Sequence, residues 1–420
     1  MRHLTKQEII EKGLCIDDGL CMMCGLCVSV CPPENIKVVF PDKEPELSFG
    51  DRCNDCGLCY QVCPGRDVPL RDLDRFICGK ERDPERDLLG LYIGCYQANA
   101  VDSEIRKRGA AGGTVSALLT YALEKGLIGG ATVAAMDEEV PWRIKPIIAK
   151  NRAEVLAGSG TKSVIVPMNS VLAKASPEVG KLGCVGLACH IHGLRKLQHR
   201  FPNNRLTKQI SFTLGVCCGT NGPYRRVEYY LKERCNVDLD DIKSMTYRSI
   251  DWPWRTQIVK KNGEKVEAPW YVPDVNRFIR HRCSQCLDWS AEVADVSVGD
   301  LYTLAAEGSD AELGANVLLV RTKVGEDLVN GAVDAGYLKI YPAPVGVLAL
   351  SAGFRQKKYF AMNRFLDFKK YNWLTPDYQY PLKMTPPVDR RGFPEGFLRL
   401  PLEERQRILK KRGTAALWFK

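Results

Sequence analysis

Two runs of four cysteines near the N-terminus carry the clearest chemistry in this sequence. The first run is Cys21, Cys24, Cys27 and Cys31, and the second is Cys53, Cys56, Cys59 and Cys63. Both have the spacing C-x2-C-x2-C-x3-C, and a proline follows each. Three thiolates on such a loop reach one 4Fe–4S cubane, and the fourth binds the other cluster. We therefore expect one cluster on Cys21, Cys24, Cys27 and Cys63, and the other on Cys53, Cys56, Cys59 and Cys31.

This region resembles a bacterial-type two-cluster ferredoxin domain, whose function is to conduct single electrons. Zinc is a poor alternative, because a zinc site needs only four thiolates. It would not explain the third, closely spaced cysteine of each run or the Cys-Pro that ends it. Gly25 and Gly57 follow the second cysteine of each run and would let the backbone pass close to a cluster. Residues 1–85 have few apolar runs, so clusters would have to organise this part of the chain.

Four later cysteines are far apart in sequence but fall where a site could form: Cys189, Cys218, Cys283 and Cys286. The first two come just after strands predicted at 182–188 and 210–216, and α/β folds place their sites at that edge. The other two form a Cys-x2-Cys pair before a further strand. The residues alone leave both a third cubane and a zinc site open, and Cys217 competes with Cys218 for the same role.

Two glycine-rich segments could approach a phosphate. Gly112, Gly113 and Thr114 precede a predicted helix, where backbone amides and the helix dipole favour an anion. GSGTKS, residues 158–163, adds a lysine that could meet a phosphate. Neither segment has a Rossmann or P-loop pattern, so each fits a nucleotide site or an ordinary turn. His190, beside Cys189, fits either a packing role at a helix start or a contact with a flavin.

The elements that must position these residues divide the chain into three parts. Residues 1–85 form the cysteine-rich region, and 86–345 alternate strand and helix signals, which favours a mixed α/β domain. Within that domain, Asn262-Gly263 between two strand-like arms predicts a hairpin. Residues 346–420 are rich in Arg, Lys, aromatic residues and Pro and form a basic C-terminal extension. The predicted fold class is therefore α+β or α/β.

The net charge is positive, with 60 Lys and Arg against 50 Asp and Glu. This charge fits either plain solubility or attraction to an acidic partner, such as a ferredoxin, a phosphate-bearing cofactor or an acidic subunit. Nucleic acid is disfavoured because the basic residues are scattered and carry no binding motif. We expect a cytoplasmic protein without a transmembrane segment, since no apolar run reaches about 18 residues and the N-terminus lacks an apolar leader. In that compartment, the 18 cysteines favour ligands over disulfides.

Five ordered motifs from about Leu91 to Pro344 resemble the coenzyme F420 hydrogenase/dehydrogenase beta-subunit family. They are GLYIGCYQANAVDSEIRKRGAAGGTVSALL, GTK, VGLACHIHGLRK, LGVCCGTNGPY and CSQCLDWSAEVADVSVGD. Family members bind FAD and mostly exchange a hydride with the deazaflavin coenzyme F420. The resemblance implies a flavin-binding domain with a third 4Fe–4S cluster on Cys189, Cys218, Cys283 and Cys286. It implies FAD contacts from Gly112, Gly113, Thr114, Ser116, Gly160, Thr161 and Lys162, to which we add His190.

Two departures from the family pattern bear on the hydride partner. Ala188-Cys189-His190 stands where Pro-Cys-Gln is common, and Ser163 stands where an aromatic often follows Gly-Thr-Lys. The leading hypothesis is an iron–sulfur flavoprotein that couples hydride transfer between coenzyme F420 and FAD to one-electron transfer to ferredoxin or a partner subunit, within a larger complex. The alternatives are a ferredoxin-dependent FAD reductase of an organic substrate, similar to hydroxymethyl chlorophyll reductases, and a non-catalytic electron-wiring subunit.

Overall fold

A computed structural model describes residues 19–84, 86–249, 255–269, 278–301, 314–343 and 354–379. The interpretation of Met1–Gly13 and that of most of the predicted C-terminal extension lie outside the described residues. Within the described residues, no helix has the length and apolar character needed to cross a membrane.

The described part of the chain is a mixed α/β structure. Its strands are β1 (Ile36–Val39), β2 (Glu46–Phe49), β3 (Gly94–Ala100), β4 (Gly130–Met136), β5 (Ile144–Ala149), β6 (Leu182–Leu187), β7 (Ile210–Val216), β8 (Ile242–Thr246), β9 (Arg255–Lys260), β10 (Lys265–Pro269), β11 (Val296–Asp300), β12 (Asn316–Val320) and β13 (Leu338–Pro342). Its helices are α1 (Leu26–Val30), α2 (Leu58–Val62), α3 (Leu70–Cys78), α4 (Ser103–Arg108), α5 (Thr114–Glu124), α6 (Arg152–Ala157), α7 (Ala188–Arg200), α8 (Arg205–Gln209), α9 (Tyr224–Cys235), α10 (His281–Ser284), α11 (Lys323–Asp334) and α12 (Phe354–Lys370). Short 3-10 helices lie at Met168–Lys174, Pro177–Val179 and Leu239–Asp241.

An eight-stranded mixed sheet forms the centre of the fold, in the order β13-β3-β12-β11-β7-β6-β4-β5. The middle of this sheet is parallel and consists of β11, β7, β6 and β4. The pairs on either side, such as β11 with β12 and β4 with β5, are antiparallel. The parallel strands are apolar along most of their length, as expected for strands buried on both faces. Because parallel strands end at one edge, the segments that follow β6 and β7 come together there.

Two small sheets flank the large one. Strands β1 and β2 pair in the cysteine-rich region, and β8, β9 and β10 form a three-stranded antiparallel sheet. The predicted hairpin is confirmed: β9 and β10 pair around Asn262-Gly263, and the Asn262 side chain accepts from the amide of Glu264 at 3.0 Å. Gly263 has a φ of 90°, a conformation that glycine adopts without steric cost.

Residues 19–84, which we call the ferredoxin-like region, share a hydrophobic core with the large sheet. Leu26 of α1, Val62 of α2 and Leu73 of α3 are fully buried in one cluster with Ile191 and Leu194 of α7. Two regions that bury the same apolar side chains are held together by the hydrophobic effect. Helix α7 therefore fixes the cysteine loops relative to the edge of the sheet.

The chain returns to the ferredoxin-like region after α12. The carbonyl of Asp377 accepts from the amide of Val68 at 2.6 Å, and the amide of Asp377 donates to the carbonyl of Arg66 at 3.1 Å. Phe365 and Tyr378 are buried in the core that the ferredoxin-like region shares with α7. The described part of the C-terminal segment is thus packed against the chain itself.

Candidate functional site

The eight cysteines of the two N-terminal runs surround two separate cavities. One cavity is lined by Cys21, Cys24, Cys27 and Cys63, which we call the inner set. The other is lined by Cys31, Cys53, Cys56 and Cys59, which we call the outer set. Helices α1 and α2 turn the last cysteine of each run toward the other run's cavity. Each set therefore combines three cysteines of one run with the fourth of the other.

The inner thiols are buried and close together, and both conditions disfavour thiolates in the absence of metal. Burial, and then the neighbouring Cys63, raise the pKa of Cys21 to about 11 and that of Cys24 to about 12. The pKa of Cys27 is raised well above its ordinary value by burial and by Cys24. Iron supplies the positive charge that makes several adjacent thiolates stable, so this donor set fits a cluster.

The outer set is closer to the surface. Burial, with smaller contributions from the thiols of Cys56 and Cys31, raises the pKa of Cys59 to about 12. Cys56 is exposed, whereas the other three outer cysteines are half-buried. The outer set is therefore the part of the two-cavity system that a partner could approach.

The four scattered cysteines form a third group, which we call the third set: Cys189, Cys218, Cys283 and Cys286. Burial raises the pKa of Cys189 well above its ordinary value, and the largest further contribution comes from Cys218, followed by thiols that include Cys283 and Cys286. Strands β6 and β7 are parallel neighbours with Leu187 opposite Val216, so Cys189 and Cys218 follow them at the same edge. Helix α10 carries Cys283 to that edge.

The two adjacent cysteines after β7 face different surroundings. Cys218 lies beside Cys189 and donates its backbone amide to the carbonyl of Trp289 at 2.9 Å. Cys217 packs instead against a small apolar cluster around Leu89 and Leu319. The geometry therefore separates two residues that sequence position alone left in competition, and it brings Cys218 into the third set.

The third set adjoins the inner set. The thiol of Cys24 is among the groups that raise the pKa of Cys189. Asn169, in the 3-10 helix after β5, donates its amide to the carbonyl of Cys24 at 2.9 Å and its side chain to the carbonyl of His190 at 3.0 Å. Met22 is in the same apolar cluster as Cys189 and Cys283. The cysteine loops of the two regions thus meet directly.

The two glycine-rich segments predicted from the sequence also meet. The hydroxyls of Ser116, in α5, and Ser159 lie 2.8 Å apart. Gly160 has a φ of 82° and passes close to the carbonyl of Arg108, the last residue of α4. Thr161 follows it and is half-buried. The two glycine-rich segments therefore lie side by side near the start of α5, and we call the region where they meet the cleft.

Part of the anion-binding capacity expected at α5 is used by the protein itself. Asn316 Oδ1 accepts from the amides of Gly112 and Thr114 at 3.1 and 3.2 Å. A Cβ at Gly112 would lie 2.7 Å from this oxygen, so the glycine is needed for the close approach. Asn316 therefore already satisfies these two amides, and the phosphate contact of this segment stays a prediction. The Thr114 hydroxyl is buried without a hydrogen-bond partner among the described residues and remains able to bind a ligand.

Lys162 supplies the second group that fits a flavin or its phosphates. Its amine donates to the carbonyl of Gly158 at 2.7 Å and also to that of Ser159. Burial lowers the pKa of Lys162 to about 7, since no carboxylate in the described part of the chain compensates the desolvation of its charge. A bound anion would restore that compensation. Together with the Thr114 hydroxyl, this amine makes the cleft chemically suited to an anionic, hydrogen-bonding cofactor.

His190 has another role in this structure. Its Nδ1 accepts from the amide of Leu187 at 3.0 Å, and its Nε2 donates to the carbonyl of Val166 at 3.1 Å. Burial lowers the pKa of His190 to about 4, which keeps the ring neutral. Both ring nitrogens are thus occupied at the start of α7. The predicted flavin contact of His190 is not what this geometry favours.

Sequence reasoning missed the residues that join the sites. Asn169, Asn316 and the buried pair of Arg282 and Tyr378 lie outside every motif that we recognised. Arg282 Nη1 donates to the Tyr378 hydroxyl at 2.5 Å, and Nη2 donates to the carbonyl of Pro64 at 3.4 Å. Only the position of Arg282, immediately before Cys283, could have drawn attention to it.

Comparison with family models agrees with this arrangement. The model of the coenzyme F420 hydrogenase/dehydrogenase beta subunit matches at residues 95–173 for its N-terminal part and at 179–345 for its C-terminal part. A 4Fe-4S dicluster domain matches at residues 14–64. The chain belongs to the coenzyme F420 hydrogenase/dehydrogenase beta-subunit family. It carries iron–sulfur clusters in an N-terminal dicluster domain, as the cysteine runs predicted.

Named relatives are oxidoreductases or their subunits. Coenzyme F420 hydrogenase subunit beta from Methanosarcina barkeri is 31% identical over 261 residues, which are 61% of this chain and 84% of that protein. Coenzyme F420-dependent sulfite reductase from Methanocaldococcus jannaschii is 30% identical over 236 residues, 53% of this chain and 34% of that protein. Rice 7-hydroxymethyl chlorophyll a reductase is 20% identical over 293 residues, 68% of this chain and 58% of that protein.

A solved structure shares the fold. It is a chain of the F420-reducing [NiFe] hydrogenase complex from Methanosarcina barkeri, studied as a xenon derivative. The likeness has a TM-score of 0.56 at 27% identity and covers 72% of this chain and 99% of that one. The similar chain is thus part of a larger oxidoreductase complex.

Proposed function

We propose that this protein is an iron–sulfur flavoprotein that couples hydride exchange with coenzyme F420 to one-electron transfer through three 4Fe–4S clusters. The inner, outer and third sets would each hold one cluster, and the cleft at α5 would hold FAD. A flavin supplies the exchange between two-electron and one-electron chemistry. The residues of this chain bind and orient these groups and set their charge environment.

One observation carries the proposal: a single stretch of backbone, residues 158–169, passes all three sites that it connects. Lys162, near its start, lies in the cleft, and the amide of Ile165 then donates to the carbonyl of Gly222 at 3.0 Å. The neighbouring Asn221 carbonyl accepts from Cys283 Sγ at 3.8 Å. The stretch ends at Asn169, which contacts the loop of Cys24. This order supports a route from the cleft to the third set and then to the inner set.

The residues at the flavin cleft have distinct tasks in this proposal. Lys162 would place a positive charge against an anionic part of the cofactor, and the hydroxyls of Thr114 and Ser116 would hydrogen-bond to it. Gly112 is needed for the close approach of Asn316, which holds the start of α5 in place. These are binding and orienting roles, and none requires a covalent step.

The segment that carries the outer set has a net charge opposite to that of the whole chain. Residues 31–60, which include all four cysteines of the outer set, contain six acidic and three basic side chains. They are Glu34, Asp42, Glu44, Glu46, Asp51 and Asp55 against Lys37, Lys43 and Arg52. The overall charge of +10 therefore does not describe this segment of the chain.

The decisive experiment mixes the anaerobically purified protein with reduced coenzyme F420 in a stopped-flow spectrometer. We expect the flavin absorbance to bleach first and the broad cluster absorbance to follow. A Cys218→Ser variant serves as the control, because it should leave flavin bleaching intact and slow the reduction of the dicluster domain. Absence of flavin from the purified protein, or failure of the flavin to bleach, would overturn the proposal.

A second candidate is a reductase that takes electrons from ferredoxin and reduces an organic substrate. It is favoured by the match to the rice reductase, which spans 68% of this chain, and by Ser163 and His190 at positions where the family pattern differs. The same cofactors would then work in the opposite direction. Mixing with reduced ferredoxin distinguishes the two: rapid flavin reduction by ferredoxin, together with none by reduced coenzyme F420, would favour this candidate.

A further inference from the structure

The buried guanidinium of Arg282 lies between the third set and the inner set. Arg282 is 1% exposed, and it directly precedes Cys283 on α10. Its Nη2 donates to the carbonyl of Pro64, the residue that follows Cys63. Its charge also interacts with the thiols of Cys286 and Cys189. One cation thus touches the loops of two cysteine sets.

Arg282 has no ionic partner among the residues that the structure describes. Its other hydrogen-bonding nitrogen, Nη1, donates to the neutral Tyr378 hydroxyl, and Nε is buried without a partner. No carboxylate of the described residues forms an ion pair with it. By contrast, the buried Arg82 pairs with Asp74 and Glu292. An unpaired buried charge is costly, so a compensating negative charge is expected nearby.

The cysteine sets offer such a charge. A 4Fe–4S cubane held by four thiolates is a net anion, and each added electron increases its negative charge. The potential of such a cluster depends on nearby charge, hydrogen bonds and solvent exposure. A fixed cation in a buried site favours the more negative, reduced state.

We propose that Arg282 is the internal counter-charge of the third cluster, and that it raises the reduction potential of that cluster so that electrons move inward from the flavin cleft. The proposal rests on the proposed function, because it requires a cluster on the third set. Arg282 acts by charge and takes no part in bond making or breaking. Tyr378, whose ring centroid lies 5.0 Å from the guanidinium carbon, holds the cation in position.

Lys196, beside the inner set, is a buried cation that does have a carboxylate partner. Its amine donates to the carbonyl of Cys63 at 2.5 Å and to Asp67 Oδ1 at 2.7 Å. Arg200 binds the other oxygen of Asp67 at 2.8 Å. The carboxylate of Asp67 neutralises much of the positive charge of Lys196 and Arg200. The positive charge of Arg282 has no such partner among the described residues and can act on the third set. Arg200→Gln is therefore a matched control in which a paired arginine is lost.

The test is a redox titration followed by electron paramagnetic resonance on the full chain, with the third-cluster signal identified by its absence in Cys218→Ser. We expect Arg282→Gln to shift the midpoint of that signal to a more negative potential. Arg282→Lys keeps the positive charge and should therefore have a midpoint close to that of the wild type. Arg200→Gln should leave this midpoint unchanged. Unchanged midpoints in Arg282→Gln at full iron content would overturn the role of Arg282 and leave the proposed function intact.

Iron content separates the remaining outcomes. If Arg282→Gln drops from about twelve to about eight irons while Arg282→Lys keeps all of them, the need for a counter-charge is supported. If Arg282→Lys loses the cluster or shifts its potential as much as Arg282→Gln does, geometry and not charge is the cause, and the inference falls. If the wild-type chain itself holds only about eight irons, both this inference and the proposed third cluster fail.

Discussion

Cys24 of the ferredoxin-like region and Cys189 of the large-sheet domain lie close enough that the Cys24 thiol contributes to raising the pKa of Cys189, after burial and Cys218. The two residues belong to different cysteine sets and to different parts of the sequence. Their proximity makes the inner and third sets neighbours. In the proposed route, an electron on one set would therefore reach the other without any movement of the two regions.

The first prediction concerns the two adjacent cysteines after β7. Cys218→Ser should lower the iron content from about twelve to about eight per chain, because one cubane loses a ligand. Cys217→Ser is the control and should keep all of the iron, since Cys217 packs against the Leu89 cluster instead. Iron and sulfide analysis after anaerobic purification measures both. Equal losses in the two variants would contradict the geometry.

The second prediction concerns the exchange of fourth ligands between the two runs. Cys31→Ser and Cys53→Ser should alter the same paramagnetic signal of the reduced protein, because both residues line the outer cavity. Cys63→Ser and Cys21→Ser should alter the other signal. The spectra of the four variants sort them into pairs. A pairing of Cys31 with Cys21 would refute the crossed arrangement.

The third prediction uses two glycines at equivalent positions in the cysteine runs. Gly25 and Gly57 have φ values of 79° and 70°, so alanine at either site costs about 1–2 kcal/mol in backbone strain. At Gly25 the added Cβ would also lie 2.7 Å from the carbonyl of Pro167 and the amide of Ser170. At Gly57 only the end of the Gln61 side chain is near, at 3.9 Å.

Gly25→Ala should therefore be more destabilising than Gly57→Ala, because it also forces the ferredoxin-like region away from the large-sheet domain. The comparison needs the midpoint temperature of unfolding and the iron content of both variants. Similar losses would mean that backbone strain alone decides, and that the contact with the 3-10 helix at Met168–Lys174 contributes little.

The fourth prediction is a pH dependence of flavin binding. Burial lowers the pKa of Lys162 to about 7, so in the flavin-free protein it is charged below that pH and neutral above it. A bound anion stabilises the charged form and raises this pKa again, so binding above pH 7 takes up a proton. The affinity for FAD should fall as pH rises above about 7, by up to about tenfold per pH unit.

Fluorescence titration of the deflavinated protein measures this dependence. Lys162→Met should bind FAD more weakly at pH 7 and should lose the dependence above that pH. Lys181→Met provides a control, because Lys181 is exposed and its amine donates to the carbonyl of Lys208, away from the cleft. An unchanged slope in Lys162→Met would show that another group takes up the proton.

Local patterns in the sequence predicted much of the fold. The cysteine spacing implied the crossed sets, because it is a property of short loops. Strand β7 begins and ends where predicted, and β6 ends one residue earlier, since Ala188 starts α7. The edge at which Cys189 and Cys218 meet followed from two consecutive strands being parallel. Each of these inferences needed only residues close together in the chain or one rule of topology.

What the sequence could not show depends on contacts between distant residues. Asn316 satisfies the amides of Gly112 and Thr114 from the start of a strand about two hundred residues away. Neither segment contains a local sequence feature that predicts this contact. The same holds for His190, whose two ring nitrogens are taken by Leu187 and Val166. A histidine beside a cluster cysteine has the right chemistry for a flavin contact, and only the position of Val166 shows how it is used.

The pairing of Val68 with Asp377 also sets an order of events during synthesis. The ribosome releases both cysteine runs long before it makes Asp377 and Tyr378. While the rest of the chain is still being translated, the loop after Cys63 lacks the strand-like segment that later fastens it, and Arg282 lacks its tyrosine. The contacts of Asp377 and Tyr378 can therefore form only after these residues have been made, which leaves a period in which iron and sulfide can reach the inner set before these contacts are in place.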